Sequence, residues 1–67
     1  MKMKVWTIAL TESVSGPLTP VFYYNHVNDV WEREFKGGCS FFDEKSCKEK
    51  LEELNVFADV IEGSIEA

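Results

Sequence analysis

His26, Cys39, Asp43 and Cys47 are the residues of this 67-residue chain whose types could do chemistry. A structural zinc site wants four ligands, paired at short spacing such as C-x2-C. Here the two cysteines stand eight positions apart and there is a single histidine. That pattern fails the spacing rule, so we expect no metal. Cys39 with His26 could instead make a nucleophilic dyad, with Gly37-Gly38 as its flexible neighbour. A reactive cysteine needs a lowered pKa, a base within hydrogen-bond reach and a pocket. One helix on one sheet rarely leaves a pocket of about 300 Å³ or more. Carboxylates are abundant, at Glu32, Glu34, Glu52, Glu53, Asp59 and Glu62. General acid–base work needs a carboxyl in a desolvated setting, and these read as solvated faces. Gly37-Gly38 also lacks the later glycine and lysine of a phosphate-cradling loop. The sequence thus predicts no catalytic grouping and no cofactor, with His26 solvated beside a turn.

Size and charge narrow the classes further. A chain this short makes a single domain, 1–67, and such a core typically supplies about 3–5 kcal/mol. Seven basic residues against twelve acidic ones give a net charge of −5. Binding to phosphates rests on Lys and Arg, so direct nucleic-acid binding is not expected. An acidic surface suits a partner with a basic patch. It also allows an acidic mimic of nucleic acid, although lysines interspersed on the helix weaken the single-sign field a mimic needs. The start MKMKVWTIAL has the look of a leader, but Thr7 breaks the apolar run and no A-x-A-type cleavage site follows. No stretch approaches the length of a membrane span. We therefore expect a cytoplasmic protein with no membrane contact. Two cysteines are thin for a secreted scaffold, so reduced thiols in a reducing compartment are expected.

The elements that would carry these residues follow from periodicity. Residues 3–11 alternate, with Trp6, Ile8 and Leu10 on one side and Val5, Thr7 and Ala9 on the other. Gly16-Pro17 and Pro20 punctuate a long loop, 12–20, whose tip is expected to be mobile. A hairpin follows: strand 20–26, a turn near 27–29 built on Asn28-Asp29, and strand 30–35. Trp31, Arg33 and Phe35 share one parity of that second strand. A helix then places Cys47, Leu51 and Leu54 at i, i+4 and i+7. Ser40 or Asp43 caps its start and Asn55 stops it. A last strand is expected over residues 56–61, with Gly63 opening a fraying tail. The order β-β-β-α-β predicts an α+β fold: a four-stranded, mainly antiparallel sheet with one helix packed on one face. The last strand is expected beside the first.

A helix covers one face only, yet three of these strands are apolar in both parities. Large exposed apolar patches usually mark interfaces. The competing expectation is that the hairpin curls, or that loop 12–20 folds back over the second face. Tyr, Trp and Arg are enriched at binding hot spots. Tyr23, Tyr24, Trp31 and Arg33 are therefore the expected contact residues, with Glu32 and Glu34 as an acidic rim.

The order of an aromatic strand, a hairpin ending in Trp31, FFDEKSCKEKLEEL and a short Val-rich strand resembles small bacteriophage accessory proteins. Trp31, Phe42-Asp43, Cys47 (where Ala is commoner) and Leu51 carry the resemblance. It implies a role in binding and inhibiting a host protein or complex, including restriction or CRISPR-type defence systems. The expected function is that of a non-enzymatic binding protein. The alternative is a structural homodimer whose sheets meet face to face or edge to edge.

Overall fold

A long first strand organises the molecule, because it is paired along both edges and lies under the helix. The structure, a computed structural model, describes residues 1–12 and 16–66. Strand β1 (Lys2–Glu12) is followed by β2 (Thr19–Asn25), β3 (Val30–Glu32), a 3-10 turn at Gly37–Cys39, helix α1 (Glu44–Leu54) and β4 (Asp59–Glu66). The sheet order is β3-β2-β1-β4, antiparallel at every pairing. The α+β architecture read from the sequence is the one observed, including β4 beside β1. Residues 13–15 of the loop lie outside the described residues, and with them the expected mobile tip.

The β1 alternation predicted from sequence places Ile8 and Trp6 under the helix. Ile8, Tyr24, Phe41 and Cys47 form the buried core, and Trp6, Trp31, Leu51, Leu54, Ala58 and Val60 pack against it. Cys47, Leu51 and Leu54 are thus the inward stripe of α1, as their helical spacing requires. Asp43 is the N-cap: its carboxylate accepts from the Ser46 amide at 2.7 Å and from the Ser46 hydroxyl at 2.9 Å. Ser40, the other cap candidate, instead donates its hydroxyl to the Gly37 carbonyl at 2.7 Å. Asn55 ends the helix in the left-handed region, φ 54°, where Asn is tolerated better than most residues.

The cap has a pH signature. The Ser46 amide, then the Ser46 hydroxyl, hold the Asp43 carboxyl below its ordinary value of 3.8. A depressed folded pKa means the contribution is present above the unfolded value and lost as pH falls through the folded one. Helix content measured by circular dichroism should therefore decline below pH 3.8. Asp43→Asn, which still caps, should show a smaller acid-dependent loss than the parent chain.

Two element boundaries differ from the sequence reading. Strand β3 ends at Glu32 rather than running to 35. The chain leaves the ladder there and Phe35 turns onto Tyr23, edge-on, with ring centroids 5.5 Å apart. Tyr23 and Tyr24 are neighbours in a strand and point to opposite faces. Phe35 therefore lies on the face opposite Trp31, not beside it. Strand β4 is displaced toward the C-terminus, covering Asp59–Glu66. Gly63 and Ser64 have low strand propensity, but an uninterrupted register from Lys2↔Glu66 to Ala9↔Asp59 overrides it. Val56 and Phe57 fall in the connection, where Phe57 is fully exposed.

Candidate functional site

The hairpin residues expected to form one contact surface are divided by the fold. Tyr24 is a core residue, 2% exposed. Its ring tilts against Trp31 with centroids 5.3 Å apart, and its hydroxyl donates to the Asp29 carboxylate. That placement takes Tyr24 out of the expected contact set, because a ring closed off by Trp31 and the helix cannot touch a partner. Trp31 is half-buried on the same side. Tyr23 is half-buried on the opposite face. Glu32 is half-buried and anchored, accepting from the Asn25 side-chain amide at 3.2 Å and pairing with Lys36 at 3.4 Å. Arg33 and Glu34 are exposed; the Arg33 guanidinium lies 5.8 Å from the Phe22 ring centroid. Arg33, Glu34 and the outer edges of Trp31 and Tyr23 remain accessible, on different sides of the sheet.

The chemistry-bearing residues are also separately occupied. His26 is half-buried rather than solvated, stacked on Phe41 at 4.1 Å with Nε2 2.7 Å from the Ser40 carbonyl. A carbonyl only accepts, so Nε2 carries the proton and donates. Cys39 and Cys47 are free thiols and fully buried. Burial first, then the charges of Glu44 and Asp43, push the Cys47 thiol up to about 11. Such a thiol is not a nucleophile at neutral pH. Among the described residues no three His, Cys, Asp or Glu side chains gather as a metal site.

The sheet face opposite the helix is built differently. Val5, Thr7 and Ala9 point there and are essentially inaccessible, yet among the described residues no second layer of secondary structure covers them. Their cover is local: Tyr23, Phe35 and Ile61 lean over them. Between these lies a depression of about 200 Å³ lined by Thr7, Tyr23, Phe35, Ile61, Glu62, Gly63 and Ser64. A larger depression, about 490 Å³, lies at the end of α1, but Leu51 is its only half-buried lining residue and the rest are exposed.

Two residues at the smaller depression break local rules. The Thr7 hydroxyl is buried without a hydrogen-bond partner among the described residues, a state that costs about 1–3 kcal/mol. Gly63 lies in mid-strand, where glycine costs roughly 0.5–1 kcal/mol relative to alanine. Its backbone does not require glycine: its φ is ordinary, and a Cβ would meet only Val5 Cγ2 at 4.0 Å. Places where a fold breaks local rules without a structural need are where function is expected. Thr7→Val keeps the shape and removes the unpaired hydroxyl. It should stabilise the chain by about 1 kcal/mol, raising Tm by roughly 4–8 °C in a thermal melt.

This site was not singled out from the sequence. The signal was present in DVIEGSIE: read through Gly63 as a strand, it alternates Ile61, Gly63 and Ile65 with Glu62, Ser64 and Glu66. Treating glycine as a strand terminator hid it. No helix is long and apolar enough to cross a membrane among the described residues. In comparison with known families, curated proteins and solved structures, nothing matches this chain.

Proposed function

We propose that this chain is a non-enzymatic protein-binding module, of the kind that small bacteriophage accessory proteins supply, acting in the cytoplasm on a host protein or complex such as a defence system. One observation carries the reading. Among the described residues an apolar sheet face is left without a second layer, and the depression on it is bordered by a glycine that the backbone does not need and a hydroxyl without a partner. The buried thiols and the committed imidazole support the non-enzymatic part.

The test is a tagged pull-down from bacterial lysate in moderate salt, with mass spectrometry of what is retained. One stoichiometric host protein is the expected result. An empty bait whose light scattering reports a stable dimer would overturn it in favour of a structural homodimer. Rapid labelling of either cysteine in native buffer would count against the non-enzymatic part, since both thiols should react only on unfolding.

A further inference from the structure

Resting on the binding reading above, we propose that the partner is engaged through the open edge of β4, as an added strand whose side chains alternate cations with apolar residues. β4 is a sheet edge, hydrogen-bonded among the described residues to β1 alone. In an antiparallel ladder alternate residues turn both N–H and C=O away from the neighbour. Half of this eight-residue strand therefore presents unpaired backbone groups outward. Among the described residues, the backbone bonds outside the ladders involve none of its residues.

Sheet edges are usually blunted by shortness, proline, lysine or a bulge. The opposite edge, β3, is three residues long. β4 has none of these devices, and its charges are carboxylates: it runs in register over its whole length without a bulge and carries no proline or lysine. It is a template for strand addition, a recurrent mode of segment recognition.

The two rows of β4 side chains state what the added strand carries. Glu62 and Glu66 project on the helix side and are largely exposed. Lys4 meets Glu62 at 3.3 Å, but exposed pairs contribute little and exchange readily. β4 itself holds no cation; Asp59, in the other row, accepts from the Thr11 hydroxyl at 2.6 Å. On the other side Ile61 and Ile65 flank the bare Gly63, beside the depression of about 200 Å³. A glycine inside a strand often marks close approach of another chain. An apolar side chain of the added strand would lean over Gly63 into that depression, while its neighbours set Lys or Arg against Glu62 and Glu66.

The same charges disfavour one register of a second copy: antiparallel pairing of β4 with itself about Glu62 sets that carboxylate against its own copy, and like charges directly opposite destabilise. Pairing about Gly63 sets Ile61 against Ile65 and Glu62 against Ser64, and the oligomeric state of the free chain separates that occupant from a cationic strand.

The probe is the peptide acetyl-Lys-Val-Lys-Val-Lys-Val-Lys-amide, fluorescently labelled and followed by anisotropy. It should bind the intact chain and slow exchange of the outward β4 amides. The same peptide methylated at every backbone nitrogen, and its Glu-for-Lys counterpart, should each bind about tenfold more weakly or worse. A Cβ at Gly63 meets Val5 Cγ2 at an ordinary 4.0 Å and valine favours strands, so Gly63→Val should keep its fold yet lose about tenfold in affinity. Glu62→Lys should reverse the preference between the cationic and anionic peptides. Equal binding by the methylated peptide, or undiminished binding by Gly63→Val, would overturn the edge assignment. So would a free chain already dimeric with protected β4 amides, whose occupant is then a second copy. If Gly63→Val still retains the pull-down partner, the binding reading stands and only the edge falls.

Discussion

Tyr24→Ala is expected to abolish cooperative folding. The ring fills the centre of the core between Ile8, Trp31 and α1, and is nearly inaccessible. Removing a buried aromatic costs about 3–5 kcal/mol. A domain this small has about that much in total. A thermal melt should show no transition for Tyr24→Ala. Tyr24→Phe separates the ring from its hydroxyl, and should fold with a loss of about 1 kcal/mol at neutral pH. The hydrogen bond to Asp29, then burial, then the charges of Asp29 and Glu53, push the Tyr24 hydroxyl up to about 12. A raised pKa gives stability that is complete below the unfolded value of 10.0 and is lost as pH climbs toward about 12. The stability gap between the parent chain and Tyr24→Phe should therefore narrow across that window. A gap that does not change there would mean that the hydroxyl is not held as described.

Gly38→Ala is expected to be the most damaging single-methyl change. A Cβ at Gly38 would collide with Asn25 Oδ1 and stand 2.8 Å from its Cγ and Nδ2. Asn25 cannot simply swing away. It is buried, its Oδ1 accepts from the Val27 and Asn28 amides at 3.0 and 3.1 Å, and its Nδ2 donates to Glu32. The β2–β3 turn and the strand end at Glu32 both hang on that side chain. Overpacking of this kind costs about 1–3 kcal/mol, and each kcal/mol lowers Tm by roughly 4–8 °C in a domain this size. Gly37→Ala is the control: a Cβ there meets nothing within 4 Å, so its Tm should hardly move. Equal effects at the two glycines would contradict the packing described.

The contrast between these residues shows what periodicity can carry. The alternation of β1 and the i, i+4, i+7 stripe of α1 were legible because each element buries a face, and burial imposes a period. The boundaries of β3 and β4 were not, because they are set by long-range pairing. Phe35 leaves its strand to meet Tyr23, and Gly63 and Ser64 join one because Val5 and Lys4 lie opposite. Tyr24 and Tyr23 look alike in sequence. Only the register with Trp31 on one side and Ala9 on the other decides which is core and which borders the open face. His26 departs from the sequence expectation for the same reason, since its partners Ser40 and Phe41 come from a segment beyond the hairpin. The β4 edge and its bare glycine emerge only once strand order is known.

Residue-resolved hydrogen exchange of β4, in the free chain and in complex with the captured partner, decides whether this edge carries the partner. Outward β4 amides between Asp59 and Glu66 are expected to exchange fast in the free chain and to slow by about tenfold or more in the complex. Protection confined to the hairpin around Trp31 and Arg33, with β4 unchanged, would contradict that expectation.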